Sequence, residues 1–198
     1  MNTLIVDNFF DNPDEIRKIA LSRYYRYGGK SNGGWKGERT FPFQNMGNIC
    51  KCCQQEISSE FQSEQNILLK ESEKIFNACM EHYGIDSENL TITSYFHITT
   101  KDTEDCLPYF SQDKFHSDSC VLAGVAYLTP NAPSNAGTSI FYAEKNRMVN
   151  LKNKYNRLVA YEAHRIHALS DTFGTTKENG RLTFTYFIHH IDDIVEPI

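Results

Sequence analysis

A histidine and an aspartate two residues apart, His116 and Asp118, lie in the segment KFHSDSC (residues 114–120), directly before an apolar run. Side chains two residues apart on an extended segment lie on the same side, so this pair can contact one metal ion. A second histidine, His167, follows in the segment VAYEAHRIHALSD. These three residues are the first candidate site. A His-x-Asp pair by itself is also compatible with a turn or a salt bridge.

Two imidazoles and one carboxylate form the ligand set of non-haem Fe(II) sites, which leave three coordination positions open. Such ligands suit Fe(II) better than thiolates do, and open positions are what oxygen activation requires. Arg181 begins the strand-like segment RLTFTYF, and Thr183 follows on the same face. The planar guanidinium of arginine is suited to a buried carboxylate, with which it makes two charge-assisted hydrogen bonds. The ordered set of His116, Asp118, His167, Arg181 and Thr183 is therefore stronger evidence for such a site than the His-x-Asp pair alone.

The segments before residue 89 predict mainly helices. Apolar residues recur there at helical spacing, and the first helix has a cap at Asp11 or Asn12 and Pro13 in its first turn. The predicted elements are a strand at 3–10, a helix at 11–25, and two further helices at 48–62 and 64–83, the last ending at Gly84. The predicted buried positions are Ile16, Ile19, Ala20 and Tyr24 in the first helix and Ile67, Leu68, Ile75, Phe76, Cys79 and Met80 in the last.

From residue 89 the pattern changes to short runs rich in Val, Ile, Thr, Tyr and Phe, separated by turn signals. Helices followed by strands predict an α+β fold, in which helices back an antiparallel sandwich or barrel. The predicted strands lie within LTITSYFHITT (90–100), CVLAGVAYLTP (120–130), TSIFYA (138–143), NRLVAYEAH (156–164) and RLTFTYFIHHI (181–191).

From about residue 114 to 188 the sequence resembles the Fe(II)- and 2-oxoglutarate-dependent dioxygenases, in particular their small prolyl-hydroxylase-like branch. The segments HSD, GVAYLTP, GTSIFY, NRLVAYEAHRIH and GRLTFTYF follow the family's order. The N-terminal stretch from IVDNFFDNPDEIRKIAL to GERT resembles bacterial and phage members less closely. The resemblance implies a double-stranded β-helix (jelly-roll, cupin-like) barrel backed by N-terminal helices. It implies one domain over residues 1–198, with helical support to about residue 88 and a barrel core at about 89–190.

The resemblance also implies roles for the candidate residues. His116, Asp118 and His167 would bind Fe(II), and Arg181 with Thr183 would hold the far carboxylate of 2-oxoglutarate. The implied cofactors are Fe(II) and 2-oxoglutarate, with ascorbate as an optional reductant and O₂ as co-substrate. The implied reaction is hydroxylation of a peptidyl (prolyl-like) or amino-acid substrate, with release of succinate and CO₂.

Two assignments stay open in the sequence. His164 lies three residues before His167, and either could be the third ligand; His167 is favoured because it ends the strand-then-histidine pattern and lies closer to Arg181. Tyr127 and Tyr95 could contact 2-oxoglutarate, as strand tyrosines do in the family, or could be core aromatics. The histidines interpreted as non-catalytic are His97, His189 and His190.

Composition restricts the class of protein. The chain has 198 residues, 40% of them apolar, and a net charge of −5, which is typical of a globular domain and gives no general attraction to nucleic acid or anionic membranes. The basic segment 145–157 predicts a solvated hairpin loop, with a patch that guides an anionic substrate as the alternative. No signal peptide and no apolar run of about 20 residues is visible, which predicts a cytoplasmic protein with reduced cysteines. Three clustered cysteines predict free thiols on a helix: Cys50, Cys52 and Cys53.

Two other functions remain compatible with the sequence. A cupin-like metal enzyme can use the same ligands without 2-oxoglutarate, and a jelly-roll binding module could carry a degenerate, non-catalytic site. Arg181 discriminates, because burial of Arg181 towards the metal would favour 2-oxoglutarate and exposure would favour the alternatives. The Gly-rich segment 27–42, which contains Trp35, predicts a lid or a substrate wall. The oligomeric state is left undecided.

Overall fold

The computed structural model describes residues 3–27, 35–45, 58–102 and 115–193, which contain two α-helices and ten strands. The helices are α1 (Pro13–Ser22) and α2 (Ser59–Tyr83). The strands are β1 (Thr3–Val6), β2 (Arg26–Tyr27), β3 (Glu38–Arg39), β4 (Leu90–Thr99), β5 (Leu122–Tyr127), β6 (Thr138–Tyr142), β7 (Arg147–Leu151), β8 (Leu158–Glu162), β9 (His167–Leu169) and β10 (Arg181–His190). The predicted α+β class is confirmed by this order.

Helix α1 begins as the sequence predicts, with Asn12 at the cap position and Pro13 in the first turn. The Asn12 amide does not cap the backbone and instead donates a hydrogen bond to Glu15 Oε2 at 3.0 Å. The prediction that Tyr24 is buried is wrong, since 76% of Tyr24 is exposed. Helix α1 ends at Ser22, so helical spacing no longer applies at residue 24, and the neighbouring Tyr25 is buried instead.

Helix α2 is one continuous helix where the sequence predicted a break at residue 63. The hydroxyl of Ser58 accepts a hydrogen bond from Phe61 N at 3.2 Å at its start. Gly84 follows its end with φ of 63°, a left-handed conformation that glycine adopts without strain. The predicted stripe packs against the sheet, with Leu68, Ile75, Cys79 and Met80 buried. Residues 48–57 of the other predicted helix, and the cysteine cluster within them, lie outside the described residues.

A seven-stranded antiparallel sheet has the order β1-β8-β5-β10-β4-β3-β2, with β10 at its centre. A three-stranded antiparallel sheet has the order β7-β6-β9. Within the described residues the two sheets do not close into a barrel. The basic segment 145–157, predicted to be a solvated hairpin loop, contains β7, which pairs with β6. Residues 145–148 are exposed as predicted, whereas Leu151 and the β6 residues Ile140 and Tyr142 are buried.

Strand alternation gives β10 two chemically different faces. Leu182, Phe184, Tyr186 and Ile188 belong to the cluster that also contains the buried residues of α1 and α2. This side of the seven-stranded sheet is called the helix face. The opposite side carries Arg181, Thr183 and Thr185 and is called the inner face.

The three-stranded sheet packs over the inner face. Ile140 and Leu151 from the smaller sheet share one buried cluster with Val125, Tyr127 and Val159 from the larger sheet. This second core therefore joins the two sheets and determines which inner-face side chains lie beneath β6 and β9. Neither of the described helices combines the length and apolar character that crossing a bilayer requires.

Candidate metal centre

The backbone brings His116 and Asp118 next to the start of β9. His116 N donates to His167 O at 3.0 Å and His167 N donates to His116 O at 2.8 Å, a single antiparallel bridge. Asp118 N donates to Ala163 O at 2.9 Å. The segment from 116 to 118 is thus held along the turn between β8 and β9, with both of its candidate ligands on one side.

The three candidate ligands form a compact group. One ligand atom from each of His116, Asp118 and His167 can be chosen so that all lie within 4.8 Å of one another. Asp118 Oδ1 lies 3.9 Å from His116 Nε2, and Asp118 Oδ2 lies 3.2 Å from His167 Nε2. The two imidazole rings have centroids 4.4 Å apart at an interplanar angle of 56°. Ligands of one ion at about 2.0–2.2 Å are separated by similar distances, so one metal ion fits this group.

The hydrogen bonds of His167 favour metal binding through Nε2. Its Nδ1 lies 2.8 Å from Arg165 O, and a proton on Nδ1 that is donated there leaves the Nε2 lone pair directed at Asp118. Asp118 Oδ2 is shielded from solvent and makes no hydrogen bond. Two electron-rich atoms facing each other at 3.2 Å are stabilised by a cation between them. Nitrogen, nitrogen and oxygen donors suit Fe(II), so the residues present fit the metal that the sequence predicts.

Burial and charge differ among the three ligands. The side chain of His167 is 5% exposed, that of Asp118 is 25% exposed and that of His116 is 57% exposed. Burial alone would raise the pKa of Asp118, but nearby positive charge holds it below its ordinary value: that of His167 and His116 whenever either ring carries a second proton, and that of Arg39. The carboxylate is therefore ionised at neutral pH and available as a ligand.

Arg181 is buried on the inner face. Its Nε donates to Ala136 O at 3.2 Å, and its terminal nitrogen lies 3.4 Å from both Gly137 O and Thr138 Oγ1. No Asp or Glu of the described residues forms an ion pair with it, and burial lowers its pKa. A buried guanidinium that is bonded only to neutral oxygens still favours a carboxylate partner. Within the described residues, the buried charge of Arg181 therefore has no carboxylate counter-ion.

The β6 register relates Arg181 to the metal group. Thr138, which contacts Arg181, lies two residues before Ile140, and Ile140 is directly opposite His167. Two residues along a strand span about 6.8 Å, and residues of equal parity lie on one face. Arg181 therefore contacts the face of the smaller sheet that carries His167, at a position about two residues away from it.

The other predicted cofactor-binding residues lie on the inner face with different partners. Thr183 Oγ1 donates to His97 O at 3.3 Å and lies 2.9 Å from Thr185 Oγ1. The Tyr127 hydroxyl donates to Leu151 O at 3.0 Å, and its ring lies 5.4 Å from the Arg181 guanidinium. The Tyr95 hydroxyl is buried without a hydrogen bond, and burial raises its pKa to about 12.

The remaining histidines lie outside the compact group. His164 is exposed, as is His190. His97 Nε2 lies 2.6 Å from Lys36 O, and burial keeps its pKa well below the ordinary value, so a neutral ring donates to that carbonyl. His189 Nε2 lies 2.8 Å from Thr93 Oγ1.

Sequence reasoning missed two residues of this region, Tyr161 and Arg39. The Tyr161 ring packs on His167, with ring centroids 4.7 Å apart. Arg39 lowers the pKa of Asp118 although it lies 79 residues earlier in the sequence. Neither residue carried a signal in the sequence. An aromatic residue in a strand, such as Tyr161, normally indicates a core position, and the two-residue strand that carries Arg39 is too short to show a period.

No family model matches the sequence, and no curated protein matches it. Solved structures do match. A prolyl-4-hydroxylase from Pseudomonas putida is 11% identical with a TM-score of 0.58, over 96% of this chain and 92% of that one. A prolyl hydroxylase from Trichoplax adhaerens, in complex with a hypoxia inducible factor peptide fragment, is 12% identical with a TM-score of 0.55, over 96% and 84%.

HygX from Streptomyces hygroscopicus, solved with nickel and 2-oxoglutarate bound, is 10% identical with a TM-score of 0.57, over 96% of this chain and 83% of that one. At such low identity these similarities establish the fold. The chain thus has the fold of the 2-oxoglutarate- and Fe(II)-dependent oxygenases, and the resemblance seen in the sequence is confirmed at the level of fold.

Proposed function

We propose that this protein is an Fe(II)- and 2-oxoglutarate-dependent dioxygenase with one double-stranded β-helix domain over residues 1–198. In this proposal His116, Asp118 and His167 hold Fe(II), and Arg181 binds the distal carboxylate of 2-oxoglutarate. With both cofactors bound, the centre would use O₂ to oxidise a substrate and release succinate and CO₂. Hydroxylation of a peptidyl or amino-acid substrate is the reaction that the similar prolyl hydroxylases suggest.

One observation carries the proposal: a buried arginine with no acidic partner in the described residues contacts β6, the strand that pairs with His167. A metal site alone would not need Arg181, because its charge is costly to bury. A small dicarboxylate that chelates the metal at one end would neutralise Arg181 at the other. The cupin-like alternative without 2-oxoglutarate gives Arg181 no such role.

The other residues have supporting roles in the proposal. Tyr161 covers one side of His167 and keeps its ring in place. Tyr127 holds Thr138 against Arg181 through a 3.0 Å hydroxyl contact, so it positions the arginine. The half-exposed His116 leaves one side of the metal group accessible.

The test is succinate formation from 2-oxoglutarate by protein loaded anaerobically with Fe(II) and then exposed to air. We expect slow uncoupled turnover, and we expect Asp118→Ala to reduce both Fe(II) affinity and turnover by more than about a hundredfold. Asp171→Ala, at an exposed aspartate outside the metal group, is the matched control and should retain both. The proposal is contradicted if 2-oxoglutarate neither yields succinate nor perturbs the spectrum of the bound iron.

A further inference from the structure

Two arginines lie directly opposite each other on β2 and β3. Arg26 and Arg39 are register partners in this antiparallel pair. Like charges directly opposite one another destabilise a sheet, and proteins normally relieve them with an acidic neighbour. Within the described residues neither arginine forms an ion pair with Asp or Glu. Arg39 contributes to the lowered pKa of Asp118, but the Asp118 carboxylate belongs to the candidate metal group. Among the described residues, this part of the sheet therefore carries two positive charges without an ion-pair partner.

Aromatic rings cover the faces of both guanidinium groups. Arg39 lies 4.7 Å from the Trp35 ring centroid and 4.8 Å from the Tyr95 ring centroid. Arg26 lies 4.6 Å from Phe41 and 5.5 Å from Trp35. Stacking occupies the faces and leaves the N–H groups in the plane as the available donors. These four residues, Arg26, Trp35, Arg39 and Tyr95, are called the arginine–aromatic wall.

The wall contains several polar atoms that are buried and have no hydrogen-bond partner. They are the Nε atoms of Arg26 and Arg39, the indole Nε1 of Trp35 and the hydroxyl of Tyr95. Leaving one such group unpaired costs about 1–3 kcal/mol, and four of them in one place is unusual for a region with only a structural role. All four are donors, which indicates an acceptor-rich partner such as an anion.

The sheet register places the wall on the inner face, beside the metal group. Arg39 is opposite His97, His97 is opposite Thr183, and directly opposed residues share a face. Tyr95 is opposite Thr185 and so also lies on the inner face, with its ring centroid 4.8 Å from the Arg39 guanidinium. Burial raises the pKa of Tyr95, and Arg39 and Asp118 both act on it. The strand β4 separates β3 from β10, which puts Arg39 about 9–10 Å across the sheet from the strand of Arg181. The wall is thus distinct from the Arg181 pocket.

The segment that carries the wall is fixed to β4. His97 Nε2 donates to Lys36 O at 2.6 Å, and Thr40 N donates to Phe96 O at 3.0 Å. Gly37 has φ of 91°, and a Cβ atom there would collide with the Ile98 carbonyl, so only glycine allows this close approach. The positions of Trp35 and Arg39 are therefore set before any ligand binds, as a preorganised binding site requires.

We propose that the arginine–aromatic wall binds a free carboxylate of the substrate, with Arg39 as the principal contact. This rests on the proposed oxygenase function and narrows its substrate class. The substrate is an acid, either a free amino acid or the C-terminal residue of a peptide, and not a residue inside a polypeptide chain. Carboxylate is favoured because its two oxygens match the in-plane fork of a stacked guanidinium, and Arg26, opposite Arg39, adds long-range attraction.

The test uses Trp35, the only tryptophan of the chain, as a fluorescence reporter within the wall. Anaerobic protein saturated with Fe(II) and 2-oxoglutarate is titrated with L-proline, with the dipeptide glycyl-proline and with glycyl-prolinamide. Saturation with 2-oxoglutarate keeps the added acids away from Arg181. We expect a saturable change in Trp35 emission with at least one acid and none with glycyl-prolinamide, which lacks the carboxylate.

The two acids distinguish the two sources of the carboxylate. A response to L-proline indicates a free amino acid, and a response only to glycyl-proline indicates a peptide C-terminus. Arg39→Gln should weaken the apparent affinity of the responding acid by at least about tenfold, which corresponds to loss of one charge-assisted pair. Arg147→Gln, at an exposed arginine on β7, removes the same charge elsewhere and should leave the titration unchanged.

Three outcomes would overturn this inference: no saturable response to either acid, an equal response to the amide, or an unchanged titration in Arg39→Gln. Failure of the oxygenase proposal is separately visible, because it concerns succinate formation and iron spectra. If those fail while the Trp35 titration succeeds, the wall remains a carboxylate site on a protein of another function. If succinate forms but Trp35 does not respond, only the substrate class is wrong.

Discussion

The two faces of β10 are both buried over residues 181–186 but differ in chemistry. On the helix face Phe184 and Tyr186 are fully buried among aromatic and aliphatic side chains. On the inner face Arg181, Thr183 and Thr185 are also buried, yet they are polar. The Tyr186 hydroxyl has a partner, Val159 O at 2.8 Å, whereas Arg181 lacks a counter-ion within the described residues. The helix face thus stabilises the fold, and the inner face accepts a cost that ligands can offset.

The largest expected change in the free energy of unfolding comes from a substitution on the helix face. Phe184→Ala removes a ring that lies 5.2–5.6 Å from the rings of Phe10, Phe43 and Phe96, and should reduce the free energy of unfolding by about 3–5 kcal/mol. Denaturant unfolding measures it. The neighbouring inner-face variant Thr185→Ala loses one hydroxyl contact and should cost about 1 kcal/mol. Equal losses in the two variants would show that the faces do not differ in this way.

The second prediction concerns Arg181. Arg181→Gln should weaken 2-oxoglutarate binding by about 10- to 100-fold, because the charge-assisted pair is lost. The free energy of unfolding should change by less than about 1 kcal/mol, since removal of an unneutralised buried charge offsets the lost carbonyl hydrogen bonds. Anaerobic titration and denaturant unfolding measure the two quantities. A strongly destabilised variant with normal cofactor affinity would instead give Arg181 a purely structural role.

Replacement of Tyr95 is expected to change the free energy of unfolding by a smaller amount, and to increase it. Its hydroxyl is buried without a partner, so Tyr95→Phe should stabilise the cofactor-free protein by about 1 kcal/mol. Tyr127→Phe is the matched control, because that hydroxyl contacts both Thr138 Oγ1 and Leu151 O, and its loss should destabilise the protein by a similar amount. Thermal unfolding of the pair reports the sign, and a loss of stability in both variants would argue against an unpaired Tyr95.

The smallest expected change in stability is at Asp7, which lies outside both faces and follows the edge strand β1. Arg157 and Lys154 hold the pKa of Asp7 well below its ordinary value of 3.8. Because the folded pKa is depressed, this stabilisation is present above the unfolded pKa and is lost as the pH falls through 3.8 towards the folded value. Asp7→Asn should cost less than about 1 kcal/mol at neutral pH and should reduce the loss of stability from about pH 5 to about pH 2. Identical pH profiles would contradict this.

Local patterns predicted the elements well where side chains repeat over several turns or strands. The stripe of α2 and the five longer strands lie where spacing placed them, although residue 63 continues the helix because no breaker interrupts it. Three short strands were missed, β2, β3 and β9, because two or three residues are too few to show a period. The five-residue strand β7 was missed as well, because its basic surroundings indicated a loop. The error at Tyr24 has the same origin, since the end of α1 changes which neighbour is buried.

The candidate site was likewise predicted in part by local spacing and decided in part by the tertiary structure. The pairing of His116 with Asp118 follows from two-residue spacing, which any extended segment imposes. The sequence favoured His167 over His164 but left both open. In the structure the bridge to His116 places His167 within the compact group, and His164 is exposed.

The sequence by itself determined the ligand types, the order of the elements and the parity that puts Arg181 and Thr183 on one face, because these depend on covalent spacing. Only the tertiary structure decided which charges lack partners and which distant groups meet. The burial of Arg181, the contact of Tyr161 with His167 and the approach of Arg39 to Tyr95 all cross between strands far apart in the chain. Such contacts depend on sheet order and register, which no local spacing encodes.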